Sequence, residues 1–185
     1  MSGKIRVPRE TAIAVARKVA HAIDPYVSRL AFCGSIRRGL ETCGDVDILA
    51  LARTGMTKDT LDAARALSSV DADNIWGEVV LRTVIDGVRT DVILTTVDSW
   101  GAALSYLTGS AEHNIAVRSW AKDHGWQANE YGVFRGTTKL PGSGETEGGF
   151  YRALGLRWLP PPLRTKNGHR GVVASRHRGG LLVTP

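Results

Sequence analysis

Along residues 9–27 the apolar positions fall at Ala12, Val15, Ala16, Val19, Ala20, Ile23 and Val27, with Arg9, Arg17, Lys18 and Asp24 on the other side. That spacing predicts an amphipathic helix, and Pro8 suits its first turn. Leu30 to Cys33 reads as a short apolar strand running into a Gly34-Ser35 turn. Val46 to Ala52 reads as a second strand and Lys58 to Leu67 as a helix. Glu78 to Ile85 and Val88 to Val97 read as two strands joined at Asp86-Gly87, a strong hairpin signal. Asp98 can cap a helix running to Leu107, and Thr108-Gly109-Ser110 breaks it. Ser110 can cap a further helix through Asp123, closed by Gly125. Residues 126–140 read as short strands and turns, and Thr146 as the cap of a weak helix reaching Leu154. Pro160-Pro161-Pro162 closes the ordered part. The tail from 165 on sets Lys166, Arg170, Arg176 and Arg178 among glycines without periodicity, the pattern of a flexible segment.

Composition narrows the partners. The 185 residues are 43% hydrophobic and 23% charged, enough for a real core in one compact unit or two small subdomains. The net charge of +6 points to a polyanion: nucleic acid first, an acidic membrane second. No run approaches the roughly 18 apolar residues of a membrane span. Met1 to Val7 holds no apolar stretch of a secretory signal, so the expectation is an intracellular protein, cytoplasmic if prokaryotic or viral. Cys33 and Cys43 lie ten apart and are expected as reduced thiols. The five histidines match no zinc spacing, and His113 and His124 are expected on a helix surface.

The chemistry concentrates in residues 34–47, Gly-Ser-Ile-Arg-Arg-Gly-Leu-Glu-Thr-Cys-Gly-Asp-Val-Asp. Gly34 and Ser35 can offer backbone N–H groups to a phosphate, and Arg37 and Arg38 supply positive charge. Side chains alternate along a strand, so Asp45 and Asp47 face one way and can share a cation. Asp91 lies inside the apolar strand Val-Arg-Thr-Asp-Val-Ile-Leu, where an acid is costly unless paired or metal-bound. Three such acids suit one or two Mg²⁺ ions, which take oxygen ligands and substrate phosphates.

These residues resemble the X family of DNA polymerases, the polymerase beta family. The likeness runs from about Pro8 to Arg164. It is carried by Cys33-Gly34-Ser35-Ile36-Arg37-Arg38-Gly39 with Gly44-Asp45-Val46-Asp47, and by Arg89-Thr90-Asp91. Tyr106-Leu107-Thr108-Gly109-Ser110-Ala111-Glu112-His113-Asn114 with Arg118 is the most specific part. Asn129-Glu130-Tyr131-Gly132 and Leu154-Gly155-Leu156 to Pro162-Leu163-Arg164 complete it.

The resemblance implies an α+β fold. A nucleotidyltransferase palm, with a mixed or antiparallel sheet flanked by helices, would occupy 1–103. A small α+β thumb-type subdomain would occupy 104–165, and the flexible basic tail 166–185. It implies that Asp45, Asp47 and Asp91 bind two Mg²⁺ ions, with Mn²⁺ as a substitute, and that Asp91 orients a primer 3′-OH. Arg89 would steady Asp91 and the primer end. Gly34, Ser35, Arg38 and Gly44 would hold the triphosphate. Tyr106 and Gly109 would line the sugar, Asn114 would touch the base edge, and Arg118 the template. The partners implied are gapped or primer-template DNA and deoxynucleoside triphosphates, met by a monomer with no membrane association.

The chain departs from the family pattern at Cys43, in place of a serine near the phosphates, and at Leu107, in place of a phenylalanine. Ile93 stands where some members carry a partner-swapping arginine, and Ala111 where some carry an acid. The short stretch before Cys33 leaves no room for a lyase domain or fingers, so the chain resembles the small viral members. The basic tail is then expected to help grip DNA. The expected function is short gap filling in repair. The alternatives are a template-independent nucleotidyltransferase and a non-catalytic nucleic-acid-binding module.

Overall fold

The computed structural model describes residues 5–69 and 75–164. The expected flexible tail from 165 on lies outside the described residues. The chain divides into two compact units, one ending at Thr96 and the other beginning at Val97. The fold is α+β, with sheets flanked by helices, as expected.

The first unit runs β1 (Val7–Pro8), α1 (Arg9–Ile23), β2 (Val27–Phe32), α2 (Gly34–Arg37), β3 (Thr42–Cys43), β4 (Val46–Ala52), α3 (Thr57–Arg65), β5 (Ile75–Trp76), β6 (Val80–Ile85) and β7 (Val88–Leu94). Five strands form one mixed sheet in the order β2-β4-β7-β6-β5. Only β4 and β7 pair in parallel; the other neighbours are antiparallel. Strand β4 lies inside the sheet between β2 and β7 and buries Val46, Ile48, Leu49 and Ala50, which explains its nearly continuous apolar run. The stripe Ala12, Val15, Ala16, Val19 and Ile23 of α1 is buried against the sheet core. Each such Val or Ile contributes about 1.5–3 kcal/mol when fully buried.

Several boundaries differ from the sequence expectation. Helix α1 stops at Ile23, because Asp24-Pro25-Tyr26 tightens into a 3₁₀ turn. Strand β2 therefore begins at Val27, ahead of Leu30. Pro8 stands as the N-cap of α1 rather than inside its first turn. Its extended backbone also lets Val7–Pro8 pair with Thr42–Cys43, a ladder too short to leave a period in the sequence. The Asp86-Gly87 hairpin is present, with both residues at positive φ.

The second unit runs α4 (Trp100–Thr108), α5 (Ala111–Asp123), β8 (Gln127–Asn129), β9 (Gly132–Arg135), β10 (Thr138–Lys139) and α6 (Glu147–Ala153). The strands form a small antiparallel sheet, β10-β9-β8. Its core gathers Ala102, Val117, Ala121, Val133, Phe150, Tyr151 and Leu154. Ser110 caps α5 by accepting from the His113 N–H, and Thr146 caps α6 by accepting from the Gly149 N–H. Asp98 is no cap: a 3₁₀ turn at Val97–Ser99 leads in, and Ser99 takes the N-cap position without a side-chain bond. Gly101 is required by close approach, since a Cβ there would lie 2.0 Å from the Thr146 carbonyl carbon. Among the described residues no helix is long and apolar enough to cross a membrane.

Candidate active site

The acids stand on the middle strands of the first unit's sheet. Asp47 on β4 and Asp91 on β7 are register partners across the parallel pair. Asp45 precedes Asp47 by two residues, just before β4 begins. All three are partly buried, and their strand neighbours Val46, Ile48, Thr90 and Val92 are buried on the opposite side. Burial holds the Asp91 carboxyl above its ordinary value. The Arg82 charge pulls it down, the Asp45 charge adds to the rise, and Arg89 opposes it. Arg89 is exposed two residues before Asp91, hence on the same side of the strand.

The sequence Gly34-Ser35 is not a plain turn. It opens α2, a single helical turn directly after β2. Gly34 has φ 53°, and a Cβ there would sit 2.0 Å from Asp47 Oδ2. Only glycine leaves room for that carboxylate, so the glycine and the acid are one structural unit. The Cys33 N–H donates to the Asp47 carbonyl at 2.8 Å and ties the two segments together. Ser35 is buried, and its hydroxyl has no hydrogen-bond partner among the described residues. Arg37 and Arg38 are half-buried and Gly44 is buried. Cys43 lies fully within the hydrophobic core, packed rather than presented to a ligand. Cys33 and Cys43 are both buried thiols, not a disulfide.

The second unit brings Tyr106, Asn114 and Arg118 to one small cleft, with Ser105, Asn129 and Phe150. Tyr106 is more than a third exposed near the end of α4, so it is not a core aromatic. Its carbonyl accepts from Asn114 Nδ2 at 2.7 Å. Gly109, at φ 67°, ends α4 and joins Ser110 through a cis peptide bond. Arg118 is exposed one helical turn beyond Asn114.

Sequence reasoning missed two groups. His113 is fully buried, not on the surface; His124 is exposed as expected. His113 Nε2 lies 2.6 Å from the Tyr151 hydroxyl, which also accepts from Ser105 Oγ at 2.9 Å. Arg164 is fully buried as well. Its Nε donates to the Leu159 carbonyl at 2.7 Å, and Nη1 lies 3.0 Å from Glu147 Oε1. Its guanidinium also stacks toward the Tyr151 ring. Arginine is rarely buried without such partners, and no spacing in the sequence announces it.

Comparison with known proteins covers both units of the chain. The DNA polymerase beta palm profile matches residues 6–100, and the DNA polymerase beta thumb profile matches residues 103–165. The chain is 30% identical to DNA polymerase/3'-5' exonuclease PolX of Bacillus subtilis (strain 168) over 162 residues, 86% of this chain and 28% of that protein. It is 30% identical to DNA polymerase lambda of Rattus norvegicus over 189 aligned residues, 86% of this chain and 33% of that protein. The chain thus spans about a third or less of these relatives. Two adjoining family profiles, on a fold whose acids stand in register, establish that the chain belongs to the X family of DNA polymerases, the polymerase beta family.

Proposed function

We propose that this chain polymerises DNA under the direction of a template, adding deoxynucleotides to a primer 3′-OH across short gaps. One observation carries the reading: Asp47 and Asp91 stand side by side on parallel strands, with Asp47 seated over Gly34. The donors are all carboxylate oxygens, the chemistry of a hard cation. Among the described residues no three acids, histidines or cysteines already close around a cation. Partly exposed acids of this kind fit magnesium, which keeps water ligands and completes its shell with substrate phosphates. Asp45, Asp47 and Asp91 would hold it, with manganese as a substitute. When bound, the metal supplies a more acidic primer hydroxyl and neutralises charge on the leaving pyrophosphate.

The chain's own groups do the rest. Asp91, with Arg89 beside it, orients the primer hydroxyl. Ser35 has a buried hydroxyl without a hydrogen-bond partner among the described residues, and a triphosphate oxygen would satisfy it. Gly34, Arg38 and Gly44 join it in holding the phosphates. Tyr106 and Gly109 flank the sugar, and Asn114 turns its amide from the Tyr106 carbonyl to the base edge. Arg118 takes a template phosphate, and the excess of positive charge draws in DNA of any sequence.

The test is primer extension on gapped, recessed and single-stranded primers, with deoxy- and ribonucleotides. Template-ordered incorporation is expected, strongest on gapped DNA. Asp47→Ala should lower it by about a hundredfold or more while DNA binding persists. Equal incorporation without template would make the chain a terminal transferase. Undiminished synthesis by the Asp47 variant would overturn the acid assignment.

A further inference from the structure

The sheet register draws one more residue into line with the acids. Asp47 pairs across to Asp91, and Asp91 pairs across to Arg82 on β6. Side chains of register partners share a face, so β4, β7 and β6 present acid, acid and cation in one row. Arg82 Nε lies 3.2 Å from Asp91 Oδ2. Along β6 the flanking Leu81 and Thr83 are buried, which turns Arg82 outward onto the face of the acids. The Arg82 side chain is 51% exposed and that of Asp91 24% exposed. The arginine therefore reaches from open solvent into a more sheltered carboxylate, and its head can swing away without breaking any core packing.

An acid that must take up a divalent cation has a problem before the cation arrives. Partly desolvated beside other carboxylates, it is repelled by them and has no fixed direction. A neighbouring guanidinium cures both faults, because it supplies charge and a directed N–H donor. It also competes with any metal for the same oxygen. We propose that Arg82 is a positioning residue for Asp91, a built-in cation that holds the Oδ2 oxygen until a divalent metal displaces it. Arg82 is thus a brake on metal loading in the free protein and a guide that sets the direction of the carboxylate before the metal takes its place. The inference rests on the metal reading of the acids given above.

The test uses the full chain without DNA or nucleotide, titrated with Mn²⁺ while free Mn²⁺ is followed by its electron paramagnetic resonance signal. Five proteins are compared: wild type, Arg82→Gln, Arg82→Lys, Asp91→Asn and the double variant Arg82→Gln/Asp91→Asn. Removing the competing charge should tighten Mn²⁺ binding about three- to fivefold in Arg82→Gln. Arg82→Lys keeps the charge and should stay near wild type. In the double variant Arg82→Gln/Asp91→Asn the gain should vanish. The same Arg82→Gln protein should turn over more slowly in primer extension, because the carboxylate has lost its guide. A merely structural arginine would weaken metal binding and activity together, so opposite signs are diagnostic. Unchanged or weaker Mn²⁺ binding in Arg82→Gln, where Asp91→Asn abolishes it, overturns the role of Arg82 alone. Identical Mn²⁺ binding by wild type and Asp91→Asn overturns the metal reading, and the Arg82 proposal with it.

Discussion

The two units use charge in opposite ways. In the first, the charged residues stand on one face of a sheet, partly open to solvent: Asp47, Asp91, Arg82 and Arg89. In the second, Arg164 and His113 are fully buried and matched by Glu147, Tyr151 and Ser105. The first arrangement is paid for by the apolar face behind it, where α1 and the sheet supply the stability. The second makes polar groups part of the core itself. A buried ion pair rarely adds net stability over apolar packing, but it is costly to break and directs one arrangement. The lesson is that a polar residue's value depends on which side of the core it faces. Open charge stays available to solvent or a ligand; buried charge serves a shape.

The strongest way to break this contrast is Arg164→Ala. It leaves Glu147 buried beside an empty space, so urea unfolding should show a loss of about 3–5 kcal/mol. A loss near zero would mean that the buried pair is ornamental. Next is Gly34→Ala, which strikes the open side. Its Cβ would meet Asp47 Oδ2, and its backbone at φ 53° costs a side-chain-bearing residue about 1–2 kcal/mol. Displacement of the carboxylate should lower primer extension about tenfold or more, beyond what lost stability explains. Wild-type activity in that variant would separate Gly34 from Asp47. The smallest effect is expected from Tyr151→Phe, which deletes the hydroxyl shared by Ser105 and His113. Unfolding should shift by about 1–2 kcal/mol, the cost of stranding buried polar partners. If Tyr151→Phe is neutral, the hydroxyl network does not hold α4, α5 and α6 together as their bonding indicates.

Much of the open side was legible from the chain. An alternating strand with two acids, a third acid in another apolar strand and a Gly-Ser after a short strand are local patterns, each written within a few residues. The hairpin at Asp86-Gly87 and the caps at Ser110 and Thr146 are local as well. The buried side was not legible. His113 was expected on the surface because a lone histidine in a polar helix has no period of its own. Its burial depends on Tyr151, 38 positions away. Arg164 needs Glu147 at the start of α6, which it meets only when the segment after the helix returns to that end. Cys43 looked like a departure at a phosphate site, yet its pairing opposite Val7 sends the thiol into the core.

By itself the sequence determined the longer helices and main strands, the acid pattern and the chain reversal at Gly34-Ser35, because periodicity and turn chemistry act over neighbouring residues. Only the tertiary structure decided that β4 and β7 run parallel in register, that Asp47 rests on Gly34, and that Arg82 completes the row with Asp91. Strand pairing joins residues remote in the chain, and its register is chosen by the burial of whole faces at once. A charge on one strand finds its partner on another only after that choice has been made.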